Sequence, residues 1–236
     1  MTQHRHRSRA NAEPPVEPLQ TDDLPRAPQM HPAPRRSQRS PRGFHHGLLA
    51  LGLMAPLLWL MTGHLRELER HEHVAALLEV AGCAGDQGVG ADAAAEPLVG
   101  ALVEAERRFG VDPALLVALA VQESTCRERA VGPSGSRGLL QLSPTTARDV
   151  ARRHELPWSN ADRLFEAEYN VLVGAAHLSD LYREYDTWGA ALSAYNLGET
   201  RYRSLSRRRG GDLTSRYART VLERRAELER ARKNTR

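Results

Sequence analysis

The chain has 236 residues, 41% of them apolar, and a formal charge of +4, enough for one domain of ordinary size with additions at its ends. Residues 1–43 hold eight arginines and four acids, the whole of that excess, and the rest of the chain carries 25 basic and 25 acidic residues. A body with no net charge argues against a nucleic-acid partner, which calls for a basic face.

The first 43 residues also contain eight of the fourteen prolines and almost no apolar clusters. Such a segment cannot bury enough surface to fold, and it is expected to be a disordered, basic, Pro-rich tail. Gly47 to Thr62 (GLLALGLMAPLLWLMT) is uncharged and apolar. As a helix it covers roughly 24 Å, a little short of a ~30 Å hydrocarbon core, and Phe44 and Leu65 extend it. Residues 44–65 are read as a single-pass transmembrane signal-anchor in the inner membrane. A cleaved signal peptide is the alternative, but no A-x-A site follows closely, and the chain continues as the charged TGHLRELER. Val80-Ala81-Gly82-Cys83 has the look of a lipoprotein cleavage box, yet His71, Glu72, His73 and Glu79 interrupt the apolar run it needs. Arginine on the N-terminal side orients the anchor with the tail in the cytoplasm and the remainder in the periplasm.

Residues 66–96 are read as stalk and linker, charged at first and then small and Gly-rich (CAGDQGVGADAAAE, residues 83–96). Cys83 and Cys126 both fall on the oxidising side, where an even pair is often bridged; their spacing leaves open whether they meet. The histidines, His154 and His177 among them, lack ligand spacing, and no metal site is read from them.

A helical domain is expected over residues 97–230. Leu98, Leu102, Ala105 and Phe109 recur at helical intervals, and Gly110 is a C-terminal stop. Asp112-Pro113 is an N-cap followed by proline at the first helical position; the helix it starts, 113–124, is apolar nearly all round and so belongs at the centre. Ser143-Pro144 repeats the signal for a helix to about His154. A longer helix is expected from Ser159 or Asn160, with Leu164, Tyr169, Leu172, Val173, Ala176, Leu178 and Leu181 on its apolar side. A short one over Thr187–Asn196 is capped by Asp186, and a last one runs from about Leu213. Arg201 to Arg209 reads as a solvated basic loop. The fold class is mainly α.

The apolar helix ends on a carboxylate, Glu123. Burial and the negative end of the helix dipole both disfavour its charged form, and a carboxylic acid kept neutral near pH 7 is what a general acid for glycoside cleavage requires. The residues around it form an ordered set: Glu123-Ser124, then Gly135-Ser-Arg-Gly138-Leu-Leu-Gln141 with Pro144-Thr-Thr-Ala147, Asn170-Val-Leu-Val-Gly174, Ala194-Tyr195-Asn196-Leu-Gly198, and Tyr217-Ala-Arg-Thr-Val221. In order and spacing this set resembles the catalytic domain of soluble lytic transglycosylases, relatives of goose-type lysozyme.

The resemblance implies a lysozyme-like fold and Glu123 as the single catalytic acid. It implies Gln141, Tyr195 and Asn196 along the sugar groove, Tyr217 near the acid, and Ser124 with the substrate-binding group. Gly132 departs from the family, which often has serine there with its hydroxyl turned to the acid or the substrate; Ser134 and Ser136 are the candidates to replace it. The implied reaction cleaves the bond between N-acetylmuramic acid and N-acetylglucosamine in peptidoglycan strands and closes a 1,6-anhydro ring, with no metal or cofactor. A hydrolase of the same fold is the alternative and would want a second carboxylate, for which Asp149, Asp162 and Glu166 are candidates; a non-catalytic wall-binding scaffold is another. General wall turnover and service to an envelope-spanning secretion or pilus machine both fit the sequence.

Overall fold

The computed structural model describes residues 45–83 and 95–234, with side chains from Leu58 in the first segment and from Glu96 in the second. The expected tail lies outside these residues, as do most of the Gly-rich linker and most side chains of the expected membrane span. The chain divides into two compact units, Met1–Leu49 and Ala50–Arg236. All of the described side chains belong to the second.

The described residues form helices and loops, with no strand among them. The order is α1 (His45–Val80), α2 (Ala95–Phe109), α3 (Pro113–Ser124), α4 (Pro144–Arg153), a short 3-10 helix (Ala161–Phe165), α5 (Ala167–Tyr185), α6 (Trp188–Leu197), α7 (Glu199–Arg209) and α8 (Arg216–Asn234). Among the described residues no helix is long and apolar enough to cross a membrane.

Two start signals act as their chemistry dictates. The Asp112 carboxylate accepts from Ala114 N at 2.9 Å, with Pro113 opening α3. The Ser143 hydroxyl accepts from Thr146 N at 3.1 Å, with Pro144 opening α4. Elsewhere the structure differs from the sequence expectation. The long helix after Asn160 is broken at Glu166, whose extended backbone (φ −81°, ψ 114°) ends the 3-10 turn before α5 begins. Asp186 closes α5 in the left-handed conformation, and Thr187 caps α6 in its place. Arg201–Arg209 is part of helix α7, not a loop, because Tyr202 (1% exposed) gives that basic segment an apolar anchor in the core.

Two clusters of buried side chains organise the unit. The larger surrounds α3, whose residues from Pro113 to Ala120 are all buried, and takes in faces of α2, α5, α6 and α8. The smaller joins Leu142, the α4 residues Ala147, Val150 and Ala151, Leu164 and the other side of α5. Helix α5 serves both, and Tyr195 of α6 packs against both.

The stretch expected as a stalk contributes to the larger cluster. Val74, Leu77 and Leu78 of α1 are each at most 4% exposed, and Cys83, also buried, is joined by a disulfide to Cys126 with 5.3 Å between the Cα atoms. The charges of residues 64–73 suggest a stalk, whereas the apolar spacing 74, 77, 78 is that of a helix face laid on a core.

Candidate active site

The groove lies at the seam of the two clusters. Glu123 comes to it from the last turn of α3, Ser136 and Gln141 from the loop between α3 and α4, Ser143 and Thr146 from the start of α4, His177 from α5, and Tyr195 and Asn196 from the end of α6. Its volume is about 420 Å³.

Glu123 is half-buried, and burial pushes its carboxyl above the usual carboxylate range. The Tyr217 hydroxyl of α8 donates a hydrogen bond to Oε1 and offsets part of that shift, because it favours the ionised form. Burial, with the Glu123 charge next to it, drives the Tyr217 hydroxyl the other way, so Tyr217 remains a donor across the working pH range. Tyr195 is likewise held protonated by burial and by Glu123, and its hydroxyl donates to Leu140 O at 2.8 Å. Just after the acid the backbone turns left-handed at two non-glycine residues, Thr125 (φ 55°) and Cys126 (φ 59°). Each such residue costs on the order of 1–3 kcal/mol. Helix-closing bonds from Thr125 N to Val121 O and from Cys126 N to Ala120 O, together with the bridge to Cys83, hold that turn.

The loop that faces Glu123 is pinned from below by Asn170, fully buried on α5. Its Nδ2 donates to Arg137 O (3.0 Å) and Leu164 O (2.8 Å), and its Oδ1 accepts from Leu140 N (2.8 Å). Gly138 is required above it: φ is +80°, and a Cβ there would collide with Leu164 O and the Asn170 amide.

Among the residues that the sequence brings forward, Glu123, Gln141, Tyr195 and Asn196 all line the groove. Tyr217 stands behind the acid as its hydrogen-bond donor. Gln141 has an internal duty: its Nε2 donates to Ala130 O (3.1 Å) and Gly138 O (2.9 Å), and its Oε1 accepts from Ser136 Oγ (2.8 Å), so it ties the loop together with φ at +47°.

Ser124 is a correction. It is 2% exposed, donates to Ala120 O and accepts from Arg127 N, which makes it the lock at the end of α3 and not a groove residue. The Gly132 departure has a physical cause, since a Cβ there would run into the Ser136 hydroxyl and Gln141 Oε1. The Ser136 hydroxyl fills the space where a side chain at 132 would begin, and Ser134 also lines the groove.

The three candidate second carboxylates lie elsewhere. Asp149 pairs with Arg148 and Arg152, Asp162 with Arg137, and Glu166 with Arg163. Among the described residues that line the groove, Glu123 is the sole carboxylate.

Sequence reasoning missed His177. It is 9% exposed on α5, its ring lies 5.2 Å from that of Tyr195, and its buried Nδ1 has no partner. Burial first, and Arg153 second, lower its pKa to about 4 against the opposing charge of Asp180. The spacing Asn170, Gly174, His177 places it on the α5 face that meets the loop, a helical signal that a search for metal-ligand spacing passes over.

A helical, lysozyme-like unit that presents one desolvated carboxyl at the seam of its two clusters defines the class to which this molecule belongs. Residues 101–217 match the family described as Transglycosylase SLT domain, and the chain is 31% identical over 125 residues to the Invasion protein IagB of Salmonella typhimurium, covering 51% of this chain and 72% of that one. The chain belongs to the transglycosylase SLT domain family. An Endo-type membrane-bound lytic murein transglycosylase A of Klebsiella pneumoniae is 42% identical over 77 residues, 31% of this chain and 37% of that one. The 70 kDa soluble lytic transglycosylase of Escherichia coli shares the fold, with a TM-score of 0.52 at 22% identity over 56% of this chain and 24% of that one. The chain spans 18% of the length of a Haemophilus influenzae relative that it matches at 33% identity over 108 residues.

Proposed function

We propose that the protein is a peptidoglycan lytic transglycosylase in which Glu123 is both acid and base. The observation that carries this reading is a single desolvated carboxyl in a sugar-sized groove, with no second carboxylate among the described lining residues. Protonated Glu123 gives its proton to the glycosidic oxygen between N-acetylmuramic acid and N-acetylglucosamine as the C1–O bond breaks. The substrate's acetamido oxygen supports C1 in the place where a second carboxylate would otherwise stand. Glu123, now ionised and steadied by the Tyr217 hydroxyl, takes the proton from the C6 hydroxyl, and that oxygen bonds to C1 to close the 1,6-anhydro ring. The nucleophile is already tethered and gains the effective molarity of an intramolecular step.

The proposal extends to the membrane. Leu58, Trp59, Leu60 and Met61 are consecutive on α1 and 59–75% exposed, an apolar surface on all sides of a helix, as a lipid-embedded segment requires. With the apolar sequence before it and the arginine-rich tail, this supports a single-pass inner-membrane anchor over residues 44–65, a cytoplasmic tail and a periplasmic domain over 97–230. The membrane-bound description of the Klebsiella relative points the same way. The Salmonella relative is described as an invasion protein, which favours a dedicated role over general wall turnover.

The test is digestion of purified glycan strands with mass analysis of the ends. Anhydro ends are expected; ends that carry one more water would establish the hydrolase in its place. For topology, a reporter active only in the cytoplasm and fused after Arg236 is expected to be silent, and a bright signal would refute the anchor's orientation.

A further inference from the structure

Glu123, Tyr217, Gln141 and Tyr195 each have a task at the site, whereas His177 has none. Its ring forms part of the groove wall, yet Nδ1 is sealed from solvent and makes no hydrogen bond. The ring nitrogen left on the groove side is therefore Nε2. An orphaned buried N–H is rarer than an orphaned acceptor, so the neutral ring keeps its proton on Nε2, where it is a donor. The side chain is also uncharged near neutral pH, because burial and the Arg153 cation outweigh Asp180. An uncharged donor in a groove offers nothing special to a carboxylate such as the lactyl group of muramic acid. It suits a neutral acceptor oxygen, of which N-acetylated sugars carry two kinds, carbonyl and hydroxyl.

We propose that His177 is a glycan-contacting residue of the groove, whose Nε2–H donates a hydrogen bond to an uncharged oxygen of the sugar strand and helps seat the strand beside Glu123. This rests on the transglycosylase reading and adds a specificity-determining residue to it. The contact is made at the expense of a sealed, unsatisfied Nδ1, an arrangement that packing alone would not favour.

The experiment uses the full chain in detergent. With 15N-imidazole labelling in a Glu123→Gln background, which binds without turnover, tetra-N-acetylchitotetraose is expected to shift the His177 Nε2 signal on saturation. Adding His177→Leu should weaken binding about three- to tenfold, the worth of one neutral hydrogen bond. His177→Gln, whose amide N–H reaches a similar position, should restore most of it. In the active chain the same Leu variant should raise KM on soluble glycan strands by that factor with kcat changed less than about twofold. A de-N-acetylated oligosaccharide separates the acceptors: if the Leu variant's penalty vanishes there, the partner is the acetyl carbonyl, and if it persists, a hydroxyl. An unshifted imidazole signal at saturation, or His177→Leu binding no weaker than its parent, overturns the proposal while wild-type cleavage leaves the transglycosylase reading standing. A wild-type chain that cuts no glycan overturns both. The signal of the unsubstituted ring decides the matter even if His177→Leu fails to fold.

Discussion

Asn170→Leu should damage this protein far more than a conservative change in side-chain size suggests. The substitution keeps the volume near the seam but removes one acceptor and two donors in a site with no solvent access. Leu140 N–H, Arg137 C=O and Leu164 C=O each lose a partner. An unsatisfied buried polar group costs about 1–3 kcal/mol, and carbonyls sit toward the low end, so the total is on the order of 3–6 kcal/mol. Against a domain stability of roughly 5–15 kcal/mol, that is a large fraction. At about 2–4 °C per kcal/mol for a unit of this size, Tm should fall by roughly 6–24 °C. Urea unfolding followed by circular dichroism measures it. Activity should fall even where the fold survives, because Leu140 O, which receives the Tyr195 hydroxyl, is on the freed loop. A loss below about 1 kcal/mol would refute the idea that Asn170 holds the loop.

Three further outcomes follow from the site. Tyr217→Phe deletes the hydrogen bond that favours ionised Glu123, so the acid's pKa rises further; since cleavage needs the protonated acid and fails as pH climbs through that pKa, the alkaline limb of kcat/KM should move to higher pH, and an unmoved limb would show that the bond does not tune the acid. Gly132→Ser should destabilise and impair the enzyme through its collision with Ser136 and Gln141, and Ser136→Gly added to it should recover most of the loss; independent, additive effects in thermal melts would contradict the shared space. Replacing Cys83 and Cys126 by serine opens a bridge across a sequence separation of 43, which the chain-entropy model values at about 4 kcal/mol; a melt unchanged by the double substitution would mean that α1 and the Glu123 turn hold together without it.

The features legible in the sequence are local or periodic. Asp112-Pro113 and Ser143-Pro144 announce their helices because the cap and the proline act within one turn. The all-round apolar run 114–120 announces a central helix through its own pattern, with no help from distant residues. The site is legible through an ordered set of short pieces, because Glu123, Gln141, Tyr195 and Tyr217 each sit inside one of them. The features hidden from the sequence depend on neighbours far along the chain. Helix α7 reads as a charged loop until Tyr202 is seen in the core, and residues 74–78 read as stalk until the larger cluster is there to receive them. Ser124 is next to the acid in sequence but points back into the end of α3, so adjacency misplaces it. His177 looks idle because its meaning comes from Tyr195 and the groove, not from a second histidine nearby.

The most direct test of the mechanism is Glu123→Gln, which keeps the side chain's size and loses its transferable proton. Purified glycan strands digested by wild type should yield fragments with anhydro ends. The variant, with an unchanged circular dichroism spectrum and melt, should release them about 10²–10⁴-fold more slowly or worse, the usual worth of general acid–base transfer. Near wild-type release of anhydro-ended fragments by Glu123→Gln would contradict the assignment of Glu123 and with it the mechanism.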